Sequence, residues 1–205
     1  MKRMLVAGGV VVGLAGVLGQ AGTGHAETCE ERFARLVVDG YGEAGPVKIL
    51  AVQEMKGAKP TRNWNYQLAP DHWMSEMIEP ENLPWSMVHK SAMFASYDKG
   101  KSWQKIRDID SAAETEAARK GRLADIESAR NAACGEETFE GVAYETVEGD
   151  YTATSTGGYE NHHKYWIVPA TGWIERAVYR MAGNGFEITT TQTIEKAPDL
   201  KLPTP

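Results

Sequence analysis

The sequence predicts an α+β domain: a meander of antiparallel strands with one long helix inserted mid-chain. Three observations carry this. Short runs of alternating apolar and polar residues, bounded by Gly-, Pro- and Asp-containing turns, recur on both sides of the middle of the chain. The stretch Ser111–Cys134 is instead Ala-rich and charged, and opens with a helix-start pattern. No linker or internal repeat divides the 205 residues, so successive hairpins return the chain to one sheet.

The chain opens as a leader for export. Lys2 and Arg3 form a positive start, Met4–Leu18 is apolar apart from Gly, and Gly24-His25-Ala26 places small residues one and three positions before a cut after Ala26. The expectation is a cleaved signal peptide over residues 1–26 and a single domain over 27–205. A retained membrane anchor is the alternative, but the apolar run falls short of the ~20 residues that span a bilayer. No transmembrane anchor is therefore expected after cleavage. Cys29 is not placed for lipidation at the cut.

Removing Lys2 and Arg3 moves the formal charge from −6 to −8. An acidic chain without a basic run is poorly suited to nucleic acid or anionic lipid headgroups. Cys29 and Cys134, an even pair in an exported chain, read as a disulfide, the alternative being two free thiols. The absence of an N-x-[ST] acceptor favours a bacterial periplasm.

Along the domain, Cys29–Val38 reads as a short helix with Phe33, Leu36 and Val37 on one face, stopped by Asp39-Gly40-Tyr41-Gly42. Val47–Lys56 reads as a strand. Trp64, Tyr66 and Leu68 alternate with Asn and Gln in the next, and His72–Ile78 follows a Pro70-Asp71 turn. Met87–Tyr97 reads as one extended segment, with Asp98-Lys99-Gly100-Lys101 turning it into a strand carrying Trp103 and Ile106. The long helix over Ser111–Cys134 starts on a capping box, Ser111 to Glu114. Its apolar stripe is thin, Leu123 and Ile126 flanked by alanines. After Gly135 the chain is nearly all β: a hairpin about Glu140-Gly141, then Thr146–Thr154, Lys164–Pro169, Trp173–Arg180 and a Thr-rich edge strand over Phe186–Ile194. The disulfide would tie the mature N-terminus to the end of the long helix.

The run Lys164-Tyr165-Trp166-Ile167-Val168-Pro169-Ala170-Thr171-Gly172-Trp173-Ile174-Glu175-Arg176 resembles a signature stretch of the LolA/LolB-like exported lipoprotein carriers. Asp98-Lys99-Gly100-Lys101-Ser102-Trp103-Gln104-Lys105 and the tail Ala197–Pro203 are similar to other parts of that superfamily. The resemblance implies a strongly curved antiparallel sheet forming an open, incomplete β-barrel, with helices on its concave side around an apolar cavity. In the carriers that cavity shelters lipoprotein acyl chains.

No nucleophile elbow, H-E-x-x-H, P-loop or dinucleotide fingerprint is present, and no enzyme, cofactor or metal site is expected. His162-His163 cannot both point inward from a strand, and they read as an exposed loop end. His72 and His89 read as single histidines. The first β half holds a methionine and aromatic set in which Trp64, Tyr66, Met74, Met77, Met87, Met93, Phe94 and Trp103, with Leu123 and Ile126 from the helix, are the candidate lining of an apolar cavity. The same residues also read as the ordinary core of a sheet with one buried face. The functional expectation is a periplasmic binding or carrier protein of a Gram-negative bacterium, holding a lipid or an acylated lipoprotein or peptide between sheet and helix. The alternative is a cell-envelope protein–protein module that uses its Trp-rich rim.

Overall fold

The computed structural model describes residues 26–40 and 45–205. The leader, apart from Ala26, and half of the turn expected at Asp39–Gly42 lie outside the described residues. Helix α1 (Cys29–Asp39) leads into six strands, β1 (Val47–Met55), β2 (Thr61–Ala69), β3 (His72–Glu79), β4 (Trp85–His89), β5 (Ala92–Ser96) and β6 (Gln104–Asp108). Helix α2 (Ser111–Asp125) and a 3-10 turn (Ile126–Ser128) precede β7 (Arg130–Phe139), β8 (Val142–Ala153), β9 (Tyr159–Val168), β10 (Trp173–Gly183) and β11 (Phe186–Lys196). All pairings are antiparallel, in the order β6-β5-β4-β3-β2-β1-β11-β10-β9-β8-β7. The two halves of the chain are thus joined along β1 and β11. The sheet is curved and unclosed, and β6 and β7 are its edges. This is the expected open-barrel α+β architecture, with α2 carrying the chain from one edge to the other.

Helix α1 forms where the sequence places it. The Thr28 hydroxyl accepts from the Glu31 N–H at 3.2 Å, and the Glu31 carboxylate accepts from the Thr28 N–H at 2.8 Å, so two otherwise unpaired donors are satisfied. Its apolar face packs on one face of the sheet. Phe33, Leu36 and Val37 meet Val147, Tyr151, Tyr165, Ile167, Ala177 and Ile194 in the core. Phe33 is fully buried. A side chain at Gly149 would come within 2.9 Å of its ring, so the helix seats only because that strand position is glycine. Below, this helix-bearing face is the inner face.

Five expectations are corrected. The long helix does not reach Cys134: it ends at Asp125, and Arg130–Phe139 is strand β7. Alanine's helix propensity over 129–133 loses to pairing with β8, where Ala133 faces Glu148 and Cys134 faces Val147, and Asn131 takes a positive φ of 54° at the irregular start of that ladder. The Cys29–Cys134 disulfide is formed, with Cα atoms 5.7 Å apart, but it ties α1 to an edge strand. The cap of α2 is Asp110, whose carboxylate accepts from Ala113 N–H, with Ser111 already inside the helix. Met87–Tyr97 is not one strand: the chain turns at Lys90-Ser91, where Lys90 adopts φ 56° without the glycine or asparagine that would have signalled it. The Thr-rich strand is not an edge. β11 lies between β1 and β10, because the second half of the meander runs back onto the free side of β1.

Candidate functional site

Residues directly opposite in an antiparallel pair point to the same face. Reading the register outward from the core therefore assigns every strand. Val47, Ile49, Ala51 and Gln53 of β1 are inner, and they face Ile194, Gln192 and Thr190 on one side and Gln67, Asn65, Asn63 and Thr61 on the other. The inner positions continue through Trp73, Ser75 and Met77 to Ser86 and Val88, and then to Met93 and Ala95. On the other flank they are Ala177, Tyr179 and Met181, then Tyr165, His163 and Asn161.

This register divides the sequence-derived lining set. Met77 and Met93 lie on the inner face. Trp64, Tyr66, Met74, Met87 and Phe94 lie on the outer one, where Tyr66, Met74, Met87 and Phe94 form a single cross-strand row and Met87 is fully buried. Lys48 places its ammonium 3.8 Å from the Trp64 ring centroid, and the Tyr66 hydroxyl donates to Glu76 at 2.7 Å. Burial and that acceptor push the Tyr66 phenol well above its ordinary value. Trp103 precedes β6 and stands across Gly100 from Trp85. Leu123 is exposed, and Ile126 packs on the core beneath α1.

Helix α2 lies against α1 and β8, and its two ends are held differently. At the C-terminal end Asp125 is buried and accepts three hydrogen bonds, from Thr154 Oγ1 at 3.0 Å, Ser155 N at 3.0 Å and Ser155 Oγ at 2.6 Å. Burial pushes this carboxyl up, and the hydrogen bonds outweigh it, so it sits below its ordinary value. Arg122 donates to the Val38 carbonyl of α1 at 3.0 Å. At the N-terminal end the ties are exposed: Ser111 to the Lys90 carbonyl at 3.4 Å and Arg107 with Glu114 at 3.1 Å. Asp125 is the only fully buried residue of the helix.

Three neighbouring hollows lie along the inner side, the first two of them lined in part by α2. One of about 810 Å³ opens at its N-terminal end, between Pro70 and Asp71, Lys90 and Ser91, and Ile109, Ala112 and Thr115. A second, of about 560 Å³, shares Pro70 and Thr115 with the first and reaches Val37, Arg122 and Tyr179. A third, of about 270 Å³, shares Gln67 with the second and lies over Ile49, Asn65, Trp73 and Gln192. The first and the second are each in the range of small-molecule sites, about 300–1,000 Å³, and the third falls just below it.

His163 lines the second hollow, contrary to the loop-end reading of His162-His163. Both sit in the middle of β9, His163 inward and His162 outward. His163 Nδ1 lies 3.0 Å from the Tyr165 hydroxyl and Nε2 lies 3.1 Å from the Tyr151 hydroxyl, while the Tyr179 ring packs edge-on at 4.5 Å. A neutral imidazole has one donor and one acceptor nitrogen, so one tyrosine donates and the other accepts. Burial, with the neighbouring His162, pushes the His163 ring down to about 3. On the outer face His162 Nδ1 meets Asp150 at 2.8 Å. His72 and His89, read singly in the sequence, stand opposite each other across β3 and β4 with rings stacked at 4.6 Å. Only the register could reveal that pair. Among the described residues no group of three or more His, Cys, Asp or Glu is placed to hold a metal ion, and no helix is long and apolar enough to cross a membrane.

No protein-family profile matches the chain, and no curated protein matches it in sequence. Among solved structures it is similar to a LolA superfamily protein from Nitrosomonas europaea, at 8% identity and a TM-score of 0.42, over 84% of this chain and 94% of that one. A domain from Vibrio parahaemolyticus, named for outer membrane lipoprotein sorting, aligns at 12% identity and TM-score 0.34 over 84% and 92% of the two chains. A hypothetical lipoprotein from Escherichia coli aligns at 8% identity and TM-score 0.33, over 84% and 98%.

Proposed function

We propose that this chain is an exported binding protein that holds a mainly apolar ligand, a lipid or an acylated peptide, in the cleft beneath α2, with α2 as its moving cover. The observation that carries the reading is the pairing of two hollows that share Pro70 and Thr115 with a helix fixed at one end and weakly packed at the other. A helix held by buried hydrogen bonds only near Asp125 pivots there at little cost, because almost no apolar surface is exposed when its N-terminal turns lift. Pro70, Ile109 and Ala112 offer an alkyl chain a surface to cover. Export rests on the leader pattern and on the disulfide, a bond that persists in oxidising compartments.

Titration with Nile red, a neutral apolar dye, tests the reading. The protein should bind it with enhanced emission. Ala112→Trp, which places an indole in the mouth at an exposed helical position, should weaken binding about tenfold or more. Extraction of protein recovered from a bacterial periplasm should yield a lipid by mass spectrometry. Protein that comes out empty and leaves the dye dark would overturn the proposal.

A further inference from the structure

The inner face carries a chemical bias that an acyl-binding floor does not need. Across the inner positions of β1 to β5 and of β9 to β11 the register places no Asp, Glu, Lys or Arg, except Lys196 at the rim, whose ammonium lies over the Trp173 ring. The chain as a whole is 24% charged, so charge has been kept off this face. Apolar side chains do not take all of its place. In the centre, the inner residues of β2 are Asn63, Asn65 and Gln67 and β11 adds Gln192, flanking the buried Val47, Ile49 and Ala51 of β1, with Ser75 beside them on β3. An interior facing only alkyl chains would leave such amides unpaired at a cost of about 1–3 kcal/mol each. Asn63 donates to Asn65 Oδ1 and to Ser75 Oγ, both at 3.0 Å. Among the described residues the Gln67 side chain makes no hydrogen bond, and the Asn65 NH₂ makes none. Trp73 stands at the same hollow.

We infer that the ligand is an amphiphile whose polar end is an uncharged, hydroxyl-rich group, such as a glycosyl headgroup, seated on the band of amides at Asn65, Gln67 and Gln192. The inference rests on the cleft reading above and names the ligand class for that site. Side-chain amides offer a donor and an acceptor at once, which matches sugar hydroxyls, and an indole face covers the apolar C–H face of a sugar ring. An ionic head would enter a place with no countercharge and would give up water without repayment. The hollows run in the right order: the apolar mouth at Ile109 and Ala112 for the alkyl chain, Gln67 at the junction, and about 270 Å³ over the amides, room for one sugar ring.

Dodecyl maltoside, dodecylphosphocholine and dodecyltrimethylammonium share one alkyl chain and differ in the head. Displacement of Nile red by each, below its micelle concentration, should show the maltoside binding about tenfold tighter than either charged head. The double substitution Asn65→Leu with Gln67→Leu should erase that preference, the three heads then displacing the dye alike. Asn65→Asp, nearly isosteric and so a safeguard should the double variant misfold, should weaken the maltoside and favour the trimethylammonium head. Equal affinity for all three heads in the native protein, or a preference that survives both variants, overturns the inference and leaves the cleft reading standing. Failure of the dye and of every amphiphile to bind removes both.

Discussion

The two flanks of the sheet are built to opposite ends. On the flank of β8 to β11 the inner face is sealed by α1: Phe33 and Val147 are fully buried, Tyr165 and Ile194 nearly so, and the disulfide pins the helix start to β7. On the flank of β2 to β5 no helix packs on the inner face. That surface is half-exposed and mixes amides with Trp73, Met77 and Met93, while the close-packed methionine and aromatic row lies on the other side of the same strands. Alternation along a strand puts apolar residues on one face, and the partner element decides which face becomes the dry one. Stability therefore belongs to the β8–β11 flank, and the β2–β5 flank is left for the proposed ligand contact.

That division can be broken by substitution. Replacing Cys29 and Cys134 together by serine frees a link across 105 residues and should cost about 4 kcal/mol in urea unfolding, with dye binding retained. Phe33→Ala should cost about 3–4 kcal/mol by the same measurement, since the ring is fully buried. Either variant that lost dye affinity while still folded would dissolve the separation of roles.

Acid should act through the same flank. The His163 ring stays neutral in the folded protein down to about 3, whereas an unfolded histidine takes a proton near 6.5. Its contribution is complete above the unfolded value and is lost as the pH falls from about 6.5 towards 3. His163→Gln should flatten the fall in melting temperature across that window. Asp125→Ala should cost about 2 kcal/mol by removing the acceptor of three hydrogen bonds, and should speed dye release by loosening the pivot of α2. At the small end, Asn65→Ala on the other flank should change unfolding free energy by no more than about 0.5 kcal/mol, as for a half-exposed side chain. A much larger loss there would mean that the amide band is structural.

The legible parts of this molecule were local ones. Helix α1 could be read because its capping box and its Phe33, Leu36, Val37 stripe lie within one short segment, and most hairpins because their turns carry Gly, Pro or Asp. The Lys90-Ser91 turn carries none of these and stayed hidden. The Met and aromatic content of the first β half was visible, but not the face: Trp64 and Asn65 are neighbours in sequence, and only register sends one outward and the other inward.

Residue order by itself determined a leader-like opening pattern, two cysteines to pair, an α+β meander and a long exposed helix in its middle, because these follow from composition, periodicity and capping within reach of a few residues. Tertiary structure alone decided that β11 is interior, that Ala132 and Ala133 join a strand edge, and that amides rather than methionines flank β1 on the inner face. The first depends on pairing across more than a hundred residues and the others on which strand faces which, and local preferences yield when a ladder of hydrogen bonds and a buried face are gained together.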